Sequence, residues 1–381
     1  MPRWNVHFNT RVQTANPELV GLVARARTIA SFVKEVPVPP HLQERFNRLN
    51  ILRAVQGTTG IEGTNLTEEE AQRVLDAPPA TRVLHPSRER EEQEVKNAGA
   101  MMHRVKEILA KDPNMPLSES LIRELHAIVT RDIPYPNNAP GQYRRHNAVA
   151  GDYLASPQED VPRLMDDFIR WFHTGTPQQW DPIIRAVIAH FYVVSIHPFG
   201  EGNGRTSRGV ESFLLHQAGI NARGFYSLAN FYYRMRAEYV QQLTAARFQT
   251  DPDLTPFVLF ALRGLVEELE AVNAEILTEI RNVSFRDYAR AFLQGEKKLG
   301  KPGGDRLLAL LDAASRDSLA AGSISLRDIR AGRHPLSPIY RDVSVKTFTR
   351  DLNYLFSHKL IIVQDAMMRP NLSIMDEFKA E

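Results

Sequence analysis

The stretch AVIAHFYVVSIHPFGEGNGRTSRGVESFLLH, residues 186–216, decides how the rest of the chain is read. Its first half is an apolar helix that runs into His197 and stops at Pro198, which cannot continue a helix without losing a backbone hydrogen bond. A second helix is expected to start after Gly202. Gly202 and Gly204, one residue apart at that start, let the backbone come close to a ligand, and the N–H groups there form an anion site favoured by the helix dipole. Arg205 and Arg208 lie three apart, so they project from one side of the first turn. Two like charges oppose the positive helix end, which calls for an anion or a carboxylate to compensate them, and two arginines suit a polyphosphate. Glu201 adds one hard oxygen ligand, as magnesium on a nucleotide requires. His197 stands just before this cradle and is the best general base available for an incoming hydroxyl. A lone histidine at a helix end is more often a cap or a packed side chain; the residues around this one favour chemistry.

Outward from this segment the chain reads as mainly α. Residues 17–36 carry Leu19, Leu22, Val23, Ala26 and Ile29 at three- and four-residue intervals, the period of a helix with one buried face. The same reading predicts helices near 41–55, 67–76, 88–110, 118–132, 160–173, 181–197, 203–218, 229–248 and 254–281. PYPNNAPGQYRRHNAVAGDYLASP, 134–157, breaks the pattern with Pro, Asn and Gly. Two short strands, Tyr143 to Val149 and Asp152 to Leu154, are expected there around a turn at Gly151. GEKKLGKPGGD, 295–305, has linker composition, and a second domain is expected beyond it: helices near 304–318, 325–331 and 345–358, then a strand at 360–364. That order suggests a winged helix, with Phe348, Leu352 and Leu355 inward and Lys346, Thr347, Arg350 and Asn353 outward. The expected division is 1–110, an N-terminal helical region; 111–295, a catalytic domain; and 296–381, a winged-helix-like domain.

Composition narrows the chemistry. With 381 residues the chain is long enough for two or three compact units. It has no cysteine, which excludes disulfides, thiolate zinc sites and cysteine nucleophiles. A net charge of +2 does not dictate a polyanionic partner. No apolar run is long enough to span a bilayer, and MPRWNVHFNT lacks the features of a secretory signal, so a cytoplasmic location and no membrane partner are expected.

HPFGEGNGRTSR, 197–208, resembles the Fic family signature H-x-F-x-[DE]-G-N-G-R-x-x-R at every defined position. The resemblance implies a Fic-type helical bundle with a hairpin flap over residues 40–280, and a protein adenylyltransferase that moves AMP from ATP, with magnesium, onto a Ser, Thr or Tyr hydroxyl of a target protein, the enzyme itself among the candidates. It implies His197 as the base, Phe199 as a core anchor, Glu201 as the magnesium ligand and Asn203 on the α-phosphate. Gly202 and Gly204 would form the cradle, and Arg205 and Arg208 would clamp the outer phosphates. Gly204 and Arg205 resemble AMP-transferring rather than phosphorylating members. PGQYRRHNAVAG, 140–151, resembles the flap that pins a target's main chain by strand addition. RAEYVQQLTAA, 236–246, occupies the place where relatives carry a tyrosine pair beside the adenine; here Tyr239 is followed by Val240.

TTGIEG, 58–63, resembles the inhibitory motif [ST]-x-x-x-E-[GN] through Thr58, Glu62 and Gly63. Glu62 and a γ-phosphate would then compete for the Arg208 guanidinium, since both are bidentate acceptors. Removal of AMP from a target and use of another nucleotide remain open, as does a different class: a nucleotide-sensing regulator that contacts DNA through the C-terminal domain. Residues 301–381 hold twelve Lys or Arg against ten Asp or Glu, less basic than most DNA-binding modules. A protein-contact or homodimer-forming role for that domain is an equal alternative.

Overall fold

The computed structural model describes residues 6–78, 80–151, 153–221, 224, 227–248, 253–295, 301–317 and 323–378. Among them the chain is mainly helical, and it divides into two compact units, Met1–Asn273 and Ala274–Glu381. The expected boundary at 110/111 falls inside the first unit, and the second unit begins within a helix rather than at residue 296.

The first unit opens with α1 (Pro17–Glu35), capped by Asn16, whose side chain accepts from the amides of Glu18 and Leu19. It is followed by α2 (Pro40–Gly60), α3 (Glu68–Asp76), α4 (Glu89–Lys111) and α5 (Glu119–Val129). A capping box between Thr67 and Glu70 fixes the start of α3. A hairpin pairs β1 (Val149–Ala150) with β2 (Tyr153–Leu154) in antiparallel register. Pairing is therefore shorter than the expected 143–149 strand: Arg144 donates its amide to the carbonyl of Pro198 instead of to a hairpin partner. Asp152, expected to open the second strand, lies outside the described residues. After the hairpin come α6 (Val161–Thr174), α7 (Pro182–Ile196) and α8 (Asn203–Gln217).

Nearly every residue of α7 is buried, so it is apolar on all sides and forms the central rod of the unit. It packs on α8, which also packs on α4 and α5. The expected helix at 229–248 is instead two, α9 (Leu228–Arg234) and α10 (Arg236–Phe248), separated at Met235. α2 continues past the expected residue 55 to Gly60, because Gly57 lets it lie directly against the backbone of α9.

α11 (Thr255–Gly295) is longer than the expected 254–281 and contains the boundary between the units. Of the expected linker, 296–300 lies outside the described residues, and α12 (Lys301–Asp317) already begins at Lys301. The second unit continues with β3 (Ile324–Ser325), α13 (Leu326–Arg330), α14 (Ser337–Tyr340), α15 (Val345–Ser357), β4 (Ile361–Gln364) and β5 (Met367–Pro370). Its sheet has the antiparallel order β3-β5-β4. Leu310, Leu355, Leu360 and Met368 sit in its core, while Lys346, Arg350 and Asn353 point outward from α15.

A methyl group added at Gly57 would come within 2.7 Å of backbone atoms of Ala229 and Asn230, whereas Gly21 of α1 has open space around it. Gly57→Ala is expected to destabilise the chain by about 1–3 kcal/mol. Gly21→Ala is expected to stabilise it by about 0.5–1 kcal/mol. Thermal unfolding of the two variants checks this: midpoints that do not move in opposite directions contradict the packing.

Candidate active site

The site forms where α7 ends and α8 begins. His197 closes α7 in the left-handed region, φ 55° and ψ 57°, a conformation that costs energy in any residue bearing a Cβ. Three contacts hold it there. Its amide donates to the carbonyl of Val193 at 3.2 Å. Its own carbonyl accepts from Arg144 Nε at 2.8 Å, and its ring Nδ1 faces the carbonyl of Val194 at 3.4 Å. With Nδ1 carrying the proton towards that carbonyl, Nε2 is left as the basic nitrogen. Burial pushes the imidazole pKa down to about 4, and the charges of Arg144 and Arg247 add to this, so the ring is neutral near pH 7.

The loop from Pro198 to Gly202 is held from both sides. Phe199 is fully buried and stacks in parallel on His126, ring centroids 3.7 Å apart. His126 Nε2 donates to the carbonyl of Glu201 at 3.0 Å, while its Nδ1 accepts from the amide of Gly141 at 2.9 Å. That pair of contacts fixes one neutral tautomer, in keeping with a pKa lowered to about 4 by burial. Asn203, expected on the α-phosphate, is engaged elsewhere: its side chain accepts from the amide of Phe199 and donates to that residue's carbonyl, both at 2.9 Å. It staples the loop into shape. Gly202, at φ 75°, caps α8 in a conformation that side chains rarely adopt, and a Cβ there would meet Thr130 at 2.8 Å.

Glu62 sits at the start of α8. Arg208 Nη2 donates to Glu62 Oε1 at 2.7 Å, and the same guanidinium reaches Thr58 Oγ1 and the Thr58 carbonyl at 2.8 and 2.9 Å. A Cβ on Gly204 would collide with Glu62 Oε1, so the carboxylate lies directly over the glycine at the helix N-terminus. Burial would raise the Glu62 pKa, but Arg208, with smaller help from Arg205 and His197, holds it below the ordinary carboxylate value. Gly63, at φ 101°, turns the chain just after it. The Glu62 side chain keeps 38% exposure against 2% for Arg208, so water screens the pair and it is weaker than a fully buried one.

Arg205 is 3% exposed and donates Nη2 to the Tyr135 hydroxyl at 2.7 Å, with Glu94 Oε1 3.6 Å from Nη1. Its Nε and Nη1 are buried without a hydrogen-bond partner among the described residues. Buried donors of this kind are costly unless something accepts from them. Glu201 is exposed, with its backbone amide held by Asn138 Oδ1 at 3.0 Å. Among the described residues no three His, Asp or Glu converge as a metal cage. A single carboxylate beside an anion cradle fits a magnesium ion that arrives on phosphate oxygens. Tyr239, expected on the adenine side, is 3% exposed and packed inward: it stacks on Tyr232 at 4.6 Å and shares a hydrogen bond with His190 Nε2 at 2.8 Å.

Four contributors escaped the sequence reading. His126, Arg144, Tyr135 and Glu94 act through partners far along the chain, and of these Tyr135 and Arg144 lie in the 134–157 segment that the sequence singles out. Arg247 is a fifth: it donates to Ser195 Oγ at 2.9 Å and lies over the Tyr153 ring of the hairpin at 4.3 Å, so it fastens the hairpin to the end of α7.

His126, His197 and His216 all have pKa values lowered to about 4 by burial. Unfolding returns them to about 6.5, so the unfolded chain binds more protons between those values. Stability is therefore complete above about pH 6.5 and falls as the pH drops towards 4. The thermal midpoint is expected to fall by roughly 10 °C from pH 7.5 to 4.5, and His216→Gln should flatten part of that slope. A midpoint constant over this range contradicts the three burials.

A family model described as Fic/DOC family matches residues 116–215, which contain α5 to α7, the hairpin and all but the last two residues of α8. Protein adenylyltransferase Fic of Drosophila ananassae is 28% identical over 204 residues, 53% of this chain and 38% of that protein, and its Drosophila melanogaster counterpart matches with the same figures. The chain thus spans about 38% of the length of these curated relatives. Among solved structures, a Fic family protein from Desulfovibrio desulfuricans aligns over 97% of this chain and 98% of its own, with 23% identity and a TM-score of 0.54. Fic-1 from C. elegans aligns over 68% and 74%, with the same identity and score. The structural likenesses establish the fold, and the family match falls on the segment that builds the site. Residues 116–215 of the chain are thus similar to the Fic/DOC family.

Proposed function

We propose that this chain transfers AMP from ATP to a Ser, Thr or Tyr hydroxyl of a protein, and that Glu62 restrains it. The observation that carries this reading is the carboxylate seated over Gly204 on Arg208: an acidic group already fills the anion position at the N-terminus of α8. Arg205 Nε and Nη1, buried without a hydrogen-bond acceptor among the described residues, support it, since a phosphate would satisfy both.

In the working state Glu62 leaves, and the outer phosphates take its place on Arg208 and Arg205. The amides of the first turn of α8 face the phosphate next to them. Magnesium, held by Glu201 and phosphate oxygens, would neutralise charge on the leaving group. His197 Nε2 accepts the proton of the target hydroxyl as its oxygen bonds to the α-phosphorus. The bond from that phosphorus to the β-phosphate oxygen breaks, and pyrophosphate leaves. Asn203 serves by shaping the loop. The hairpin, fastened by Arg247 and Arg144, serves as the flap along which a target segment lies. The order of helices and strands in the second unit supports the winged-helix reading of that part.

Glu62→Gly is expected to raise incorporation of AMP, into itself or into proteins of a cell extract, at least about tenfold, the scale of losing one charge-assisted contact. His197→Ala in that background should abolish it. ATP labelled on the α-phosphate follows the transfer, and ATP labelled on the γ-phosphate should leave the protein unlabelled. No α-label incorporated by the released variant, or label arriving from the γ-position, overturns the assignment. Separate incubations with each nucleoside triphosphate, read by added mass, identify the group moved.

A further inference from the structure

Glu62 does not hold its turn alone. Residues 61–64 close the end of α2 through Glu62 N and Thr64 N, both donating to the Thr59 carbonyl, and Gly63 N, donating to the Gly60 carbonyl. Arg236 Nε donates to the Ile61 carbonyl at 2.9 Å. On the far side of the turn Thr64 Oγ1, in a residue 7% exposed, donates to Glu94 Oε2 at 2.6 Å.

Glu94 is therefore shared. Its Oε2 holds Thr64, while its Oε1 accepts from the Tyr135 hydroxyl at 2.5 Å and from Arg90 Nε at 3.2 Å, and lies 3.6 Å from Arg205 Nη1. That last separation is too long for a hydrogen bond, which is why Arg205 Nη1 counts among the buried donors without a partner. One carboxylate oxygen is committed to the turn that carries Glu62, while an arginine expected to grip phosphate lies next to the same carboxylate with two donors unmet.

We propose that Glu94 is a positioning residue for Arg205 and that Thr64 withholds it: while Thr64 occupies Oε2 the turn stays seated and Arg205 stays loosely held. When the turn lifts, Oε2 becomes free to accept from Arg205 and fixes the guanidinium for the incoming phosphates. Thr64, Glu94 and Tyr135 thereby couple the two arginines, so that unseating Glu62 from Arg208 and setting Arg205 are one event. This rests on the reading of Glu62 as the restraint and adds a second holding point for it.

The test removes the hydroxyl and leaves both arginines and Glu62 in place. In the full chain, Thr64→Val should speed amide hydrogen exchange at residues 59–64 towards the level of Glu62→Gly, with α7 and α8 as protected as in the parent. Thr64→Ser, which keeps the hydroxyl, should exchange like the parent, and Thr64→Ala provides a second hydroxyl-free variant should the valine fail to fold. AMP incorporation should rise at least about fivefold in the hydroxyl-free variant, as expected for loss of a hydrogen bond to a charged group. It should change by less than about twofold when the same substitution is added to Glu62→Gly, because the turn is already released.

Unchanged exchange at 59–64 overturns the proposal, as does a loss of protection spread over the whole first unit. An equal rise in incorporation with and without Glu62 overturns it too. If Glu62→Gly itself transfers no AMP, the proposed activity fails, and the exchange measurement still decides whether Thr64 holds the turn.

Discussion

Arg208 can have only one anionic partner at the start of α8, and in this structure it is Glu62. The guanidinium is buried, so leaving it uncompensated would be expensive. The position over Gly204 is the point where a helix N-terminus, two arginines and a side-chain-free backbone coincide, and it attracts any acceptor of the right shape. Much of the first unit can be understood as arranging who occupies it. The turn that follows α2 carries the Glu62 carboxylate in, Gly57 allows that helix to run close on α9, and Gly63 turns the chain just after Glu62.

The loop between α7 and α8 is the second constraint. A left-handed His197 persists because Arg144 and the Val193 carbonyl hold its backbone, and because Phe199 is locked between the His126 ring and the Asn203 side chain. Placing the imidazole thus depends on residues that hold the backbone of the loop. The low pKa of the imidazole keeps it unprotonated near neutral pH, as the proposed role of base requires, at the expense of basicity. Phosphates arriving nearby would raise that pKa, since negative charge favours the protonated ring.

The sequence exposed the helices and the motif well because both are local. Periodicity located α1, α4, α6, α7 and α8 to within a few residues, and the two glycines and two arginines were recognisable from chemistry that needs only their spacing. It exposed poorly whatever depends on partners distant in the chain. Asn203, expected on a phosphate, also pairs through its side-chain amide with the backbone of Phe199 only four positions earlier, a local contact that the motif's spacing did not reveal. Tyr239, expected on the adenine side, has contacts with Tyr232 and His190 that no local pattern encodes. His126 was hidden within an ordinary amphipathic helix. The break at Met235 and the continuation of α11 to Gly295 arise from packing that no local pattern encodes.

Competition for Arg208 is accessible without catalysis. Calorimetric titration of Mg-ATP into the full chain and into Glu62→Gly compares the anion site with and without its resident carboxylate. The account predicts affinity at least about tenfold tighter in the variant, the effect of removing one charge-assisted competitor. Equal affinity in the two proteins would contradict it.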